Sequence, residues 1–339
     1  MGGNSEGMQR NLTANSTHRV GRRTVVVLLA ALASSAFAAA AFAAAPPLPA
    51  ASTGGVSSVT PSSAVLHGSL DAKAQPTNYV FQYGTTKFYG GQTPLAPGGE
   101  ASSTIPVSQT VGGLQANTTY HYRILATNAR GSTPGVDHTF KTPKVPLSLQ
   151  IAGAPNPVPF GDAFDVQGTL TGTGNAGRIV ALQANPFPYV AGFKTLGNFE
   201  VTSSTGSFSF PVVGLLTNTQ LRVVTTAAPY VTSPVVVEGV AVGVTLHVRR
   251  VHRPRRRGQF VRFYGTITPA ELGAHVGFQL LRRGAPSVNQ GGTVVTSTTP
   301  TISRFSTVVR IRHHGVYEAL VQVFDGSHVS SYSEPIRIG

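Results

Sequence analysis

Leu114-Gln-Ala-Asn-Thr-Thr-Tyr120-His-Tyr122-Arg-Ile124-Leu-Ala126-Thr-Asn128-Ala-Arg-Gly131 alternates apolar core residues with polar ones from Tyr120 onward. A period of two belongs to an extended chain with one face in a core. It sends Tyr120, Tyr122, Ile124 and Ala126 inward and His121 and Arg123 toward solvent. Leu66-His-Gly-Ser-Leu70 and Tyr79-Val-Phe-Gln-Tyr83 read the same way. Such runs recur along the chain with Gly, Pro, Asn or Ser between them, and no helical period follows residue 45. The fold class this predicts is all-β, with tandem antiparallel β-sandwiches after an N-terminal signal helix.

Composition agrees. The 339 residues include 38 Gly and 24 Pro but only 11% charged side chains, a profile of strands and tight turns. With no cysteine, disulfides, thiolate chemistry, Cys-based zinc sites and a lipidated cysteine anchor are excluded. Core burial alone must then hold the domains, which is feasible near 100 residues each.

The stretch from Leu114 to Gly131 also resembles the E–F corner and strand F of a fibronectin type III domain, whose pattern is L-x-P-x-T-x-Y. Leu114, Thr118 and Tyr120 fall on it, whereas Ala116 replaces the usual Pro and no Trp exists for strand B. The resemblance covers about residues 55–143. It implies a tyrosine corner in which the Tyr120 hydroxyl returns to the backbone and pins the loop. It also implies a secreted bacterial protein of modular build. No Arg-Gly-Asp triplet is present, so integrin binding is not implied.

Arg19, Arg22 and Arg23 precede an uncharged run from Val25 to about Ala45 with A-x-A spacing, the parts of a secretory signal. Residues 1–43 are therefore expected to be a signal peptide cut after Ala43, and the expected location is secreted or at the cell envelope. A membrane partner is expected only if segment 25–45 stays uncleaved. Residues 44–54 are expected to be a linker, being too poor in core residues to fold.

Residues 147–240 and 241–339 read as two copies of one unit. Gly161-Asp-Ala-Phe-Asp-Val-Gln-Gly168-Thr-Leu-Thr171 aligns with Gly258-Gln-Phe-Val-Arg-Phe-Tyr-Gly265-Thr-Ile-Thr268. Phe208 and Phe305 each lie 40 positions beyond the second glycine. Both copies resemble bacterial immunoglobulin-like domains.

Motifs for chemistry are sparse. Gly3-Asn-Ser5-Glu-Gly7 fits G-x-S-x-G but precedes the signal, and Gly172-Thr-Gly174-Asn-Ala-Gly177 has no helix to follow it. Asp162 and Asp165 sit at an odd spacing that separates their faces in a strand. His247, His252, His275, His313, His314 and His328 crowd the last segment without a metal-ligand spacing. No catalytic residue, metal site or cofactor is expected, and no enzymatic activity.

Charge is the feature that stands out. Residues 241–339 hold 13 Arg against 4 acids, whereas 144–240 is neutral. Arg249, Arg250, Arg253, Arg255, Arg256 and Arg257 lie within nine residues, between an expected strand Val242–Val248 and another starting at Phe260. They are expected to form an exposed loop whose planar guanidinium groups suit anionic groups. The expected partner is an anionic cell-wall polymer or polysaccharide, and no nucleic acid, because aromatics are not interleaved with the run. Oligomeric state is not legible. The functional expectation is an exported binding and spacer protein. The alternative is an accessory carbohydrate-binding or adhesin protein, for which Phe88-Tyr89 and Phe187-Pro-Tyr189 are candidate stacking loops.

Overall fold

The computed structural model describes residues 45–152, 155–252 and 259–339. The expected signal peptide, and Arg253, Arg255, Arg256 and Arg257, lie outside them. Among the described residues all regular structure is β, and no helix is long and apolar enough to cross a membrane.

The first sandwich packs one sheet of β1 (Ala50–Ser57), β2 (Ser63–Asp71) and β6 (Ile105–Gly112) against another. The second sheet centres on β3 (Thr77–Gly84) and β7 (Thr119–Asn128). Short strands β4 (Gly91–Gln92), β5 (Ala96–Gly99), β8 (Gly131–Pro134) and β9 (His138–Lys141) flank that pair. Leu66, Phe81 and Ile124 are fully buried between the sheets, and Tyr122 is nearly so. The alternation of β7 is as the sequence predicts, with Tyr120, Tyr122, Ile124 and Ala126 buried.

Strand β1 corrects the expected linker. It begins at Ala50, within residues 44–54, and even the preceding prolines are tied down: the Pro46 and Pro47 carbonyls accept hydrogen bonds from Arg130 and Asn128. Its poverty in bulky residues is what the packing requires. The Gly54 carbonyl accepts from the Tyr122 hydroxyl at 2.7 Å, the Thr53 hydroxyl accepts from the Ile124 N–H, and a Cβ on Gly135 would collide with Thr53. Backbone bonds hold this strand, so an apolar period is not needed to form it.

The second sandwich pairs β12 (Ala163–Thr171) with β10 (Ser148–Ala152) and β15 (Ser207–Val213). Its other sheet runs β14 (Lys194–Val201), β13 (Ile179–Pro186), β16 (Thr219–Thr225) and β17 (Val236–Glu238). Two short parallel strands, β11 (Val158–Pro159) and β18 (Val240–Ala241), close its edge.

In the third sandwich β21 (Gln259–Thr268) lies between β24 (Ser303–Ile311) on one side and β19 (Gly243–Val244) and β20 (His247–Val251) on the other. Opposite it stand β22 (His275–Arg282), β23 (Ala285–Val294) and β25 (Gly315–Gln322), with β26 (Ser331–Tyr332) and β27 (Ile336–Ile338) beside β25. Each sandwich has its own buried apolar cluster.

The glycine spacing has a direct physical meaning. Gly168 pairs across strands with Phe208, and Gly265 with Phe305. A Cβ on Gly168 would come within 2.4 Å of both the Phe208 ring and the Gln150 carbonyl; on Gly265 it would meet the Thr245 carbonyl at 1.9 Å. Only glycine lets the partner ring and the adjacent strand close over it. Gly68 occupies the same place in the first sandwich, its neighbours being the Ser52 carbonyl, Ile124 and Phe81. The pattern apolar-x-Gly-[Ser/Thr]-aliphatic thus recurs at Leu66–Leu70, Val166–Leu170 and Phe263–Ile267.

The second and third sandwiches also bond to each other. Asn218 donates from its backbone to the Ser327 carbonyl and from its side chain to the Gly326 carbonyl. His328 reaches the Leu216 carbonyl with Nε2 and Glu271 with Nδ1, at 2.8 and 2.6 Å.

Candidate polyanion-binding face

The tyrosine corner forms at the predicted residues. Leu114 and Tyr120 are buried, and the Tyr120 hydroxyl accepts a hydrogen bond from the Gln115 N–H at 2.9 Å. Thr118 donates its hydroxyl to the Ala116 carbonyl, so the corner closes without the usual proline.

Of the arginine run, the described Arg249 and Arg250 do not lie in the expected loop. No single strand covers Val242–Val248, and β20 extends through Val251, so Arg249 and Arg250 are ladder residues rather than loop residues. They point to opposite faces. Arg250 pairs with the inward Val261 and donates to the carbonyl oxygen of Gly339. Arg249 faces outward, directly opposite Arg262.

Cross-strand register then assembles a face that the linear run does not contain. Residues paired directly across antiparallel strands share a side of the sheet. One row is Arg249–Arg262–Val308, with Val251–Phe260–Arg310 on one flank and His247–Tyr264–Ser306 on the other. Beyond the latter, Arg304 pairs with Thr266. Arg249, Arg262, Arg304 and Arg310 are all exposed. Tyr264 is 40% exposed and lies against His247, their ring centroids 5.4 Å apart. Arg249, Arg262, Arg304, Tyr264 and His247 border a shallow groove of about 620 Å³, floored by Gly265 and Phe305.

Its electrostatics are one-sided. The sandwich's acids, Glu271, Glu318, Asp325 and Glu334, all lie off β20, β21 and β24. Ion pairs among the described residues join Lys73 to Asp71, His121 to Asp137 and His328 to Glu271; none uses an arginine of this face. Arg249 opposite Arg262 is a like-charge pair, unfavourable by a few tenths to about 1 kcal/mol until an anion comes between them.

Sequence reasoning missed Arg262, Tyr264, Arg304 and Arg310. Their own alternation held the signal: Arg262 and Tyr264 interleave with buried Val261, Phe263 and Gly265, and Arg304 and Arg310 sit at an even spacing.

The other candidates do not converge on this face. Asp162 and Asp165 are exposed, one before β12 and one within it. His275 lies against Phe324, and exposed His313 and His314 border a separate cleft with Arg310 and Arg312. Phe88 is exposed, whereas Tyr89 donates its hydroxyl to Asp137. Asp137 also takes the His121 ring. Burial pushes its carboxyl up, but the bonds from His121 and Tyr89 outweigh this and hold it below the usual range. Phe187 and Tyr189 pack edge to face, with Phe187 against Gly326 of the third sandwich.

Glu271, Asp325 and His328 form the one His/acid cluster of metal-ligand compactness among the described residues, their ligand atoms within 4.8 Å of one another. Burial pushes the His328 pKa down, but its bonds to Glu271 and Leu216 and the nearby charges of Glu271 and Asp325 raise it overall. Glu271 pairs with His328 and Asp325 accepts from Ser327, while His328 crosses to the Leu216 carbonyl and so makes a joint between the sandwiches.

No family model matches the chain, and no curated protein matches it. Among solved structures, the chicken CNTN1 FN1-FN3 domains are similar over 87% of this chain and 99% of that one, at 14% identity and a TM-score of 0.27. A tetra-tandem repeat in the extending region of a large adhesion protein is similar over 86% of this chain and 74% of that one, at 14% identity and a TM-score of 0.28. What the chain's own strands show is a tandem all-β architecture of antiparallel sheets.

Proposed function

We propose that the protein is an exported, non-enzymatic binding and spacer protein whose third sandwich holds an anionic polymer. The observation that carries this is the outer face of β20, β21 and β24, where Arg249, Arg262, Arg304 and Arg310 are gathered with no carboxylate on the same strands. The expected signal segment supports an extracellular setting, and the tandem sandwiches supply the spacing. Arginine forks engage carboxylate, sulfate or phosphate in pairs, and their attraction is screened by salt.

The test is elution from immobilised heparin along a salt gradient. Replacing Arg249, Arg262 and Arg304 with Ser should move elution to much lower salt than replacing Arg282, Arg283 and Arg337, which removes equal charge elsewhere. Equal shifts for the two variants would reduce the binding to net charge and refute the assignment of the face.

A further inference from the structure

We propose that the ligand of this face is an acidic polysaccharide, with one sugar ring on Tyr264 and its acid groups on the arginines of the flanking rows. This rests on the polyanion reading above and narrows it to one polymer class.

The order of the rows is the argument. Along β21, same-face residues recur about every 7 Å. An arginine row, Arg249–Arg262, is followed by the aromatic row, His247–Tyr264–Ser306, and then by Thr266 with Arg304. Cations therefore stand on both sides of an exposed aromatic ring in a shallow groove. A phosphate polymer has no apolar face to lay on that ring. A pyranose does, because its axial C–H groups cover an aromatic face while its equatorial hydroxyls point outward. Ser306 and Thr266 flank the ring with hydroxyls, as sugar recognition needs. A single-stranded nucleic acid engages successive stacking rings, whereas the exposed rings of the groove, Tyr264 and His247, lie against each other and offer one stacking place.

The second sandwich supplies an internal comparison. The same groove exists there at about 340 Å³, over Gly168 and Phe208. Gln167 stands at the place of Tyr264, Asp165 at that of Arg262, Ser207 at that of Arg304 and Ala152 at that of His247. The backbone hollow is common to both repeats, and the third alone fills its rim with cations and an aromatic ring. The site is thus a specialisation of one repeat and not a by-product of the fold.

Calorimetric titration of the purified protein with polygalacturonate, inorganic polyphosphate and single-stranded DNA, at one ionic strength, tests the proposal. Polygalacturonate should bind about tenfold tighter than either competitor. Tyr264→Thr should lose about tenfold for polygalacturonate and leave polyphosphate affinity unchanged. Arg249→Ser with Arg262→Ser should weaken both. Polyphosphate or DNA binding as tightly as polygalacturonate, or a harmless Tyr264→Thr in a protein whose arginine variant fails, would overturn the polysaccharide assignment alone. No binding of any polyanion by the unaltered protein would overturn the parent reading as well.

Discussion

Glu238 gives the most quantitative prediction. It is 1% exposed at the end of β17, paired with Thr219, and its Oε1 has no hydrogen-bond partner among the described residues. Burial pushes its pKa from 4.5 up to about 7. The folded state therefore holds this proton more tightly than the unfolded chain does. Its contribution to stability is complete below about pH 4.5 and is lost progressively as pH rises through about 7. At about 1.4 kcal/mol per pH unit, that displacement is worth roughly 3 kcal/mol to the second sandwich. Glu238→Gln removes the titration. Urea unfolding followed by circular dichroism, with hydrogen exchange over β15 to β17 to assign the transition, should find the two proteins close at pH 5. By pH 9 the variant should be more stable by up to about 3 kcal/mol. A stability gap that stays constant between pH 5 and 9 would refute the reasoning, because a neutral buried Glu238 requires the gap to open with pH.

Three further predictions concern structure. Tyr120→Phe removes the acceptor of the Gln115 N–H and should destabilise the first sandwich by about 1 to 2 kcal/mol, read as a lower urea midpoint. Gly265→Ala drives a Cβ into the Thr245 carbonyl and should cost several kcal/mol or prevent folding of the third sandwich. Gly277→Ala, whose nearest neighbour is 4.0 Å away, should be tolerated and serves as its control in the same melts. At the joint, protonated His328 donates to both Leu216 and Glu271; with its pKa raised, this contribution is full below about pH 6.5 and fades as pH rises through the raised value. Hydrogen exchange at Asn218 and Val329 should quicken over that range beyond the ordinary pH dependence of exchange, and His328→Gln should abolish the excess.

The sequence alone determined what depends on near neighbours. The alternation from Tyr120 to Ala126 fixes which side chains enter the core, because successive residues of an extended chain face opposite ways whatever lies beside them. The corner at Leu114, Thr118 and Tyr120 was legible for the same reason, its bonds spanning a few residues. So was the spacing of Gly168 to Phe208 and Gly265 to Phe305, since repeated sequence preserves a contact even across 40 residues. The excess of arginine in the last segment is a matter of counting.

What the tertiary structure alone decided is which of these residues meet. Arg249 and Arg250 are adjacent in sequence, yet one joins the outer face and the other turns to Gly339. Arg304 and Arg310, more than fifty residues on, join Arg249 because β21 lies between β20 and β24 in a particular register. Strand β1 was invisible for a related reason: its small residues are selected by partners far along the chain, such as Tyr122 and Gly135. Likewise Leu216, Glu271 and His328 share no local pattern and meet only where two sandwiches abut. Local periodicity chooses a side of the strand, but register between strands chooses the neighbours on that side, and register is set by the packing of the whole domain.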